Sequence, residues 1–314
     1  MTGHTGAAED TELAGHDHRG EPMTDIADLD PAHWHVTGRT QQLRVLGHQV
    51  RVSIRRGADS ARPPLVLCNG IGASLDLLEP FVEALPPELE VVSFDVPGVG
   101  GSPMPRVPYN LPLLAMFLGR VLDQLGYGRV DMLGMSWGGG LAQQFAFQNP
   151  RRCRRLVLVS TATGMLMVPA APGVLLRMAT PHRYRDPAYA ARIAPRVYGG
   201  TVRQHPEMAA QLMSAERLGA PAGYLLQLLA GVGWTSLPFL PLLRQPTLIL
   251  SGNDDPIIRL VNARMMRRLL PHAHLHVFDD GHLGIVTKAH ELGPITGQFL
   301  LSDLPTEVVQ VSRA

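Results

Sequence analysis

Five residues, Gly134-Met135-Ser136-Trp137-Gly138, constrain this chain more than any others. They satisfy the pattern G-x-S-x-G, and their neighbours give that pattern a mechanical setting. Val130-Asp131-Met132-Leu133 reads as the end of a buried strand. Gly139-Gly140-Leu141-Ala142-Gln143-Gln144-Phe145-Ala146 reads as the start of a helix. A serine on a sharp strand-to-helix turn projects its oxygen clear of a sheet, and flanking glycines let backbone pack where a Cβ would collide. The helix N-terminus also presents N–H groups to a developing negative charge. A glycine-rich turn with an incidental serine is the plainer reading. The strand before and the helix after favour a nucleophile at Ser136.

The surrounding pattern alternates between strands and helices. Leu43-Arg44-Val45-Leu46 and Val50-Arg51-Val52-Ser53-Ile54 flank Gly47-His48 as a hairpin. Short buried strands are predicted at 64–68, 89–94, 156–160, 246–250 and 274–278, with helices over 75–85 and 111–125. This rhythm argues for a mostly parallel sheet covered by helices on both faces. From residue 164 to 243 it gives way to helical segments at 187–197, 207–218 and 223–230, dense in apolar residues such as Met165, Met167, Met178 and Met213. The expected organisation is a core of residues 32–163 and 244–304, interrupted by a helical lid at 164–243. Flexible methionines and leucines beside a reactive rim suit a greasy substrate. Residues 1–31 are polar and aperiodic and read as a disordered tail, in which His4, His16 and His18 lack the setting of a metal site.

Composition narrows the class. At 314 residues and 45% hydrophobic, the chain can bury a large core. A net charge of +1 gives no field favouring nucleic acid or an anionic membrane. Cys68 and Cys153 cannot make a disulfide framework and fit a reduced, cytoplasmic protein. No secretory signal is visible, and no apolar stretch is long enough to span a bilayer.

A nucleophilic serine needs a base, and the base needs an orienting acid. In a sheet of this kind the chain order is Ser, then Asp or Glu, then His. Asn253-Asp254-Asp255-Pro256 follows a strand, so its carboxylates lie at the edge of the sheet. Asp255 is the favoured acid and Asp254 the alternative; a plain Asx turn is the bland reading. His282 follows the last strand through Asp279-Asp280-Gly281 and is the expected base. His272, His274 and His276 share one strand face, but no Cys or carboxylate pattern accompanies them, so no metal or other cofactor is expected. The oxyanion of acyl transfer requires donors, assigned to the main-chain N–H groups of Trp137 and of Ile71 in Asn69-Gly70-Ile71-Gly72. Phe94 to Ser102 superficially resembles a phosphate loop but lacks the lysine that would follow it.

These residues carry a resemblance. The chain resembles the α/β-hydrolases, and within them the intracellular poly(3-hydroxyalkanoate) depolymerases acting on medium-chain-length polyesters. The similar segments include Asn69-Gly70-Ile71-Gly72-Ala73, Ser136-Trp137-Gly138-Gly139, Tyr198-Gly199-Gly200, Gly233-Trp234-Thr235-Ser236 and Asp279-Asp280-Gly281-His282-Leu283. The resemblance implies an α/β-hydrolase fold and a triad of Ser136, Asp255 and His282. It also implies a hydrophobic polyester or acyl ester substrate, with a polymer granule surface as candidate partner. Many relatives carry His-Gly where this chain has Asn69-Gly70. Serine at 136 distinguishes it from the polymer synthases, whose equivalent turn carries cysteine, and from dehalogenases and epoxide hydrolases, which place aspartate there. A carboxylesterase or carbon–carbon bond hydrolase on a small substrate is the alternative, and a catalytically silent granule-binding protein is a third.

Overall fold

The computed structural model describes residues 37–179, 182, 186–212 and 221–302. The expected tail at 1–31, its three histidines, and the 213–218 end of one expected helix lie outside those residues. Eight strands form one sheet: β1 (Arg39–Val45), β2 (His48–Arg55), β3 (Leu65–Cys68), β4 (Val91–Phe94), β5 (Val130–Met135), β6 (Cys153–Val159), β7 (Thr247–Gly252) and β8 (Ala273–Phe278). Their spatial order is β1-β2-β4-β3-β5-β6-β7-β8. β1 pairs antiparallel with β2 and β2 antiparallel with β4; every pairing from β4 to β8 is parallel. Leu46 and Gly47, both at positive φ, close the β1–β2 hairpin in two residues.

Strands β3, β4, β5 and β7 are buried along their whole length, as a sheet covered on both faces requires. The period of two divides their side chains between two cores. Leu65, Leu67, Leu133, Met135, Val157, Val159, Leu248 and Leu250 face one cluster. Val66, Cys68, Met132, Leu156, Leu158 and Ile249 face the other. On the first face lie α1 (Glu79–Ala84) and two C-terminal helices, α10 (Gly284–Thr287) and α11 (Ala289–Leu301); on the second lie α2 (Leu111–Gln124), α3 (Trp137–Gln148) and α9 (Leu260–Leu269). Between β6 and β7 the described chain forms α4 (Pro172–Met178), α5 (Pro187–Val197), α6 (Gly200–Gln204), α7 (Glu207–Leu212) and α8 (Pro221–Gly231), with no strand.

The sheet order positions the site. After β3 the chain crosses to β4 on one side and later returns to β5 on the other, so the loops leaving β3 and β5 diverge at a switch point, where open α/β sheets leave a crevice. The register sets Cys68 beside Gly134 and Gly252 beside Phe278. The loops carrying Asn69–Gly72, Ser136, Asp255 and His282 therefore leave the same edge of the sheet.

Candidate active site

Ser136 adopts φ +52° and ψ −119°, a backbone that a side chain rarely tolerates. The surroundings hold it there. The Ser136 N–H donates to the Val159 carbonyl at 2.9 Å, and the Ser136 carbonyl accepts from the Gly139 N–H at 3.0 Å and the Thr161 hydroxyl at 2.6 Å. The glycines of the pattern are steric necessities. An added Cβ at Gly134 would lie 2.4 Å from the Gly138 carbonyl oxygen, and one at Gly138 would lie 2.1 Å from that of Cys68.

His282 comes to this serine from the loop after β8. Its Nε2 lies 3.0 Å from Ser136 Oγ and its Nδ1 lies 2.8 Å from Asp255 Oδ2. An ionised carboxylate only accepts, so Nδ1 carries the hydrogen and Nε2 presents its lone pair to the serine hydroxyl. The Asp255 side chain is fully buried; its other oxygen accepts the N–H groups of Ile257 and Ile258, each at 2.9 Å. Asp254 turns the other way. It accepts from the Gly200 N–H at 2.8 Å and pairs with the Arg203 guanidinium at 2.8 Å. The structure thus brings Asp255, and not Asp254, to the imidazole.

Sequence reasoning missed what steadies these loops. Asp280 is buried and accepts the Thr201 N–H at 2.6 Å, the Thr201 hydroxyl at 2.8 Å, the Gly281 N–H at 2.6 Å and the Thr287 hydroxyl at 2.6 Å. The His282 N–H donates to the Tyr198 carbonyl at 2.7 Å. Tyr198-Gly199-Gly200-Thr201 therefore wedges between the acid loop and the base loop. A Cβ at Gly199 would meet the Asp254 carbonyl and one at Gly200 the Asp280 carboxylate, each within 2.0 Å. The adjacent glycines in the sequence were the available signal.

The second donor segment runs beside the nucleophile, where a Cβ added to Gly70 would lie 3.7 Å from Ser136 Cβ. Gly70-Ile71-Gly72-Ala73 is a turn closed by the Ala73 N–H on the Gly70 carbonyl at 3.2 Å, with Gly72 at φ +74°. Asn69 donates to the Ser74 carbonyl, and the Leu75 N–H donates to Asp95 at 2.7 Å. Asp95 also accepts from the Gly101 N–H at 2.7 Å and faces Arg51 at 3.4 Å. Burial pushes its carboxyl up to about 6 against the pull of those donors. The Phe94–Ser102 loop is thus a brace for the Asn69–Ala73 turn. Trp137 is the first residue of α3, so its main-chain N–H has no acceptor within the helix.

Above Ser136 opens a cavity of about 480 Å³, lined by Trp137, Met165, Met167, Leu175, Val232 and Trp234 among others. Its walls are apolar, with Thr161 and Ser136 as polar points. His274 and His276 lie in β8, with His276 3.7 Å from Glu291; His272 precedes the strand. Among the described residues no group of three or more His, Cys, Asp or Glu is gathered as metal ligands. Cys68 and Cys153 are buried, and burial pushes both thiols up, which leaves them poor nucleophiles.

A mostly parallel sheet flanked by helices, with a serine at a strained strand-to-helix turn bonded through histidine to aspartate, defines a hydrolase class. The chain belongs to the alpha/beta hydrolase fold family, whose sequence pattern matches residues 63–289. Within that family it is 52% identical over 251 residues to a poly(3-hydroxyalkanoate) depolymerase of Ectopseudomonas oleovorans, covering 80% of this chain and 88% of the relative. It is 31% identical over 236 residues to a pimeloyl-[acyl-carrier protein] methyl ester esterase of Aromatoleum aromaticum, covering 70% of this chain and 91% of that protein. The crystal structure of an enol-lactonase from Burkholderia xenovorans LB400 superposes with a TM-score of 0.73 at 23% identity, over 83% of this chain and all of the other.

Proposed function

We propose that this chain is a serine hydrolase that cleaves the ester bonds of poly(3-hydroxyalkanoate), with Ser136 as nucleophile, His282 as base and Asp255 as the acid that orients it. One observation carries the reading: the Ser136–His282–Asp255 chain of hydrogen bonds ends on the floor of an apolar cavity. The 52% identity to a polyester depolymerase supports the substrate.

Ser136 Oγ attacks the ester carbonyl carbon while its proton passes to His282 Nε2. Asp255 holds Nδ1–H and stabilises the imidazolium. The main-chain N–H groups of Trp137 and Ile71 receive the oxyanion; one such donor is worth about 2.7–4 kcal/mol of barrier. Collapse expels the hydroxyl end of the leaving chain, which takes the proton from Nε2. Water, deprotonated by His282 Nε2, then attacks the acyl carbon; collapse breaks the bond to Ser136 Oγ, which takes the proton back from Nε2 as the carboxyl end leaves. Residues of the chain and one water supply every step, and this route calls on no metal or organic cofactor.

The finer reading concerns residues 164–243 as a lid over a core of 32–163 and 244–304. Its first residue, Gly164, forms a bridge with Thr235 near its far end, and its helices line the cavity through Leu175, Leu228 and Gly231. The cavity's volume and apolar walls suit a medium-chain acyl group. Leu166, Leu176, Leu229 and Val232 are exposed on this segment and suit a hydrophobic granule surface. Among the described residues no helix is long and apolar enough to cross a membrane. Action on polymer stored in the cytoplasm follows from this reading.

The test is incubation of the purified protein with medium- and short-chain polymer granules, with products identified by mass. Release of 3-hydroxy acids or short oligomers from the medium-chain polymer is expected, and Ser136→Ala should lose it by several orders of magnitude while folding normally. Turnover of small aryl esters without polymer cleavage would replace the proposal with a small-substrate esterase.

A further inference from the structure

Helix α8 does more than wall the cavity. It lines the cavity through Leu228 and Gly231, and one residue of the same helix, Gln227, touches both segments that carry the oxyanion donors. The Gln227 Oε1 accepts the Gly72 N–H at 2.6 Å in a buried contact. The Gln227 main-chain carbonyl accepts the Trp137 indole N–H at 2.9 Å. Gln227 itself is 1% exposed. A helix does not come this close by default. Gly223 lies against Gly98 so tightly that a Cβ there would sit 1.8 Å from the Gly98 carbonyl oxygen, and a Cβ at Gly231 would lie 3.7 Å from Trp137 Nε1.

We infer that Gln227 is a positioning residue for ester hydrolysis: its side chain fixes the Gly70–Ala73 turn while its main chain fixes Trp137, so that one residue sets the spacing between the two oxyanion donors. The inference rests on the hydrolase reading above. The physical reason is the turn. Gly72 is in the left-handed region, and the closing bond from Ala73 to Gly70 leaves the Gly72 N–H pointing out of the turn. Buried from water, that N–H needs an acceptor, and Gln227 supplies it. Without the acceptor the turn rotates to find one and carries Ile71 with it. Ser136, His282 and Asp255 hold their mutual contacts through other elements, so proton transfer stays intact while the oxyanion loses alignment. The loss then falls on the transition state and spares ground-state binding.

The experiment replaces Gln227 with Met, which keeps length and removes the acceptor, and with Asn, which keeps the amide but shortens its reach. Wild type and variants are compared on p-nitrophenyl octanoate and with an octyl boronic acid, which becomes tetrahedral and anionic on Ser136. Expected in both variants is a kcat lower by about 10- to 100-fold with KM within about threefold, and boronate affinity lower by about the same factor as kcat. Thermal unfolding and active-site titration normalise for folded enzyme. Wild-type kcat per folded molecule in Gln227→Met would overturn the inference, as would a raised KM at unchanged kcat, which would make Gln227 part of the binding wall. A wild-type protein inert toward every ester would overturn the hydrolase reading itself, and this inference with it.

Discussion

The close approach of main chain to main chain at Gly138, beside the nucleophile, yields a quantitative test. Gly138→Ala would put a Cβ 2.1 Å from the Cys68 carbonyl oxygen and 2.4 Å from that of Asn69. Both are main-chain atoms, so no rotamer relieves the clash. Opening the shorter contact from 2.1 to 3.0 Å, still a tight distance, needs a displacement of about 0.9 Å between the helix that begins at Trp137 and the strand end that leads into the Asn69–Ala73 turn. Those two pieces are the proposed sources of the oxyanion donors. Overpacking of this order costs about 1–3 kcal/mol of stability, and a misplacement of about 1 Å in a reacting constellation costs about 10²-fold in rate. Gly138→Ala should therefore lose about 100-fold in kcat on a soluble medium-chain ester while its Tm falls by several degrees. Gly128→Ala is the control: no atom lies within 4 Å of the added Cβ and its φ is not left-handed, so both quantities should match wild type. A Gly138→Ala protein with wild-type kcat would refute the claim that the glycine exists to let elbow and oxyanion turn approach.

Three further outcomes follow from the geometry. Asp255→Asn should lower kcat by about 10⁴-fold through the wrong imidazole tautomer, whereas Asp254→Asn, at a side chain that bonds Gly200 and Arg203 and keeps an acceptor oxygen, should keep kcat within about threefold; equal losses would break the assignment. Enlarging Met167 or Val232 to Trp should lower the turnover ratio of long to short acyl esters by about tenfold or more, and an unchanged ratio would remove the cavity from chain-length selection. Asp95 carries a raised folded-state pKa, so its stabilising contribution is full below the ordinary carboxylate range and is lost as pH climbs through about 6. The stability of wild type relative to Asp95→Asn should therefore fall by roughly 2 kcal/mol from about pH 4.5 to about pH 7.5 in denaturant titrations, and parallel profiles would contradict a desolvated carboxylate there.

How much of this was legible in the chain differs by element. The central strands announced themselves because both faces are buried, and a strand such as Leu65–Cys68 has no polar face to blur its apolar run. Helix α11 was hidden for the opposite reason. It contains Gly293, Pro294 and Gly297, residues that argue against a helix locally. Tertiary packing overrides that preference: a Cβ at Gly293 would meet the Ala84 carbonyl and one at Gly297 the Pro86 ring, so the glycines let α11 close onto α1 and its loop. Helix α9 was obscured by its arginines, which leave Ala263 and Met266 as its few buried apolar residues. Ser136, Asp255 and His282 were readable because each sits at a fixed offset from a strand end. Asp280 and Thr161 also follow strand ends and Gln227 lies in a helix, but their parts are set by contacts with residues 7 to 155 positions away in the sequence, which no local spacing reveals.

Those hidden contacts change what the segment between β6 and β7 is for. A roof that only excluded water would need apolar side chains facing the cavity and little else. This one also reaches down at three places. Tyr198 accepts the His282 N–H, Thr201 and Gly200 engage Asp280 and Asp254, and Gln227 engages Gly72 and Trp137. Each contact ends on a main-chain group, a carboxylate or, at Trp137, the indole N–H, within two residues of a proposed catalytic group. The loops leaving the sheet carry partners of their own, such as Ile257 and Ile258 for Asp255 and Thr287 for Asp280, and the overlying segment adds to them. Polar contacts from the overlying helices replace competition from water with fixed distances, which is what preorganisation of a charged transition state demands. On the proposed function, substrate discrimination and catalytic alignment are coupled through one structural segment: α8 lines the cavity at Leu228 and, at the adjacent Gln227, bonds the Gly70–Ala73 turn.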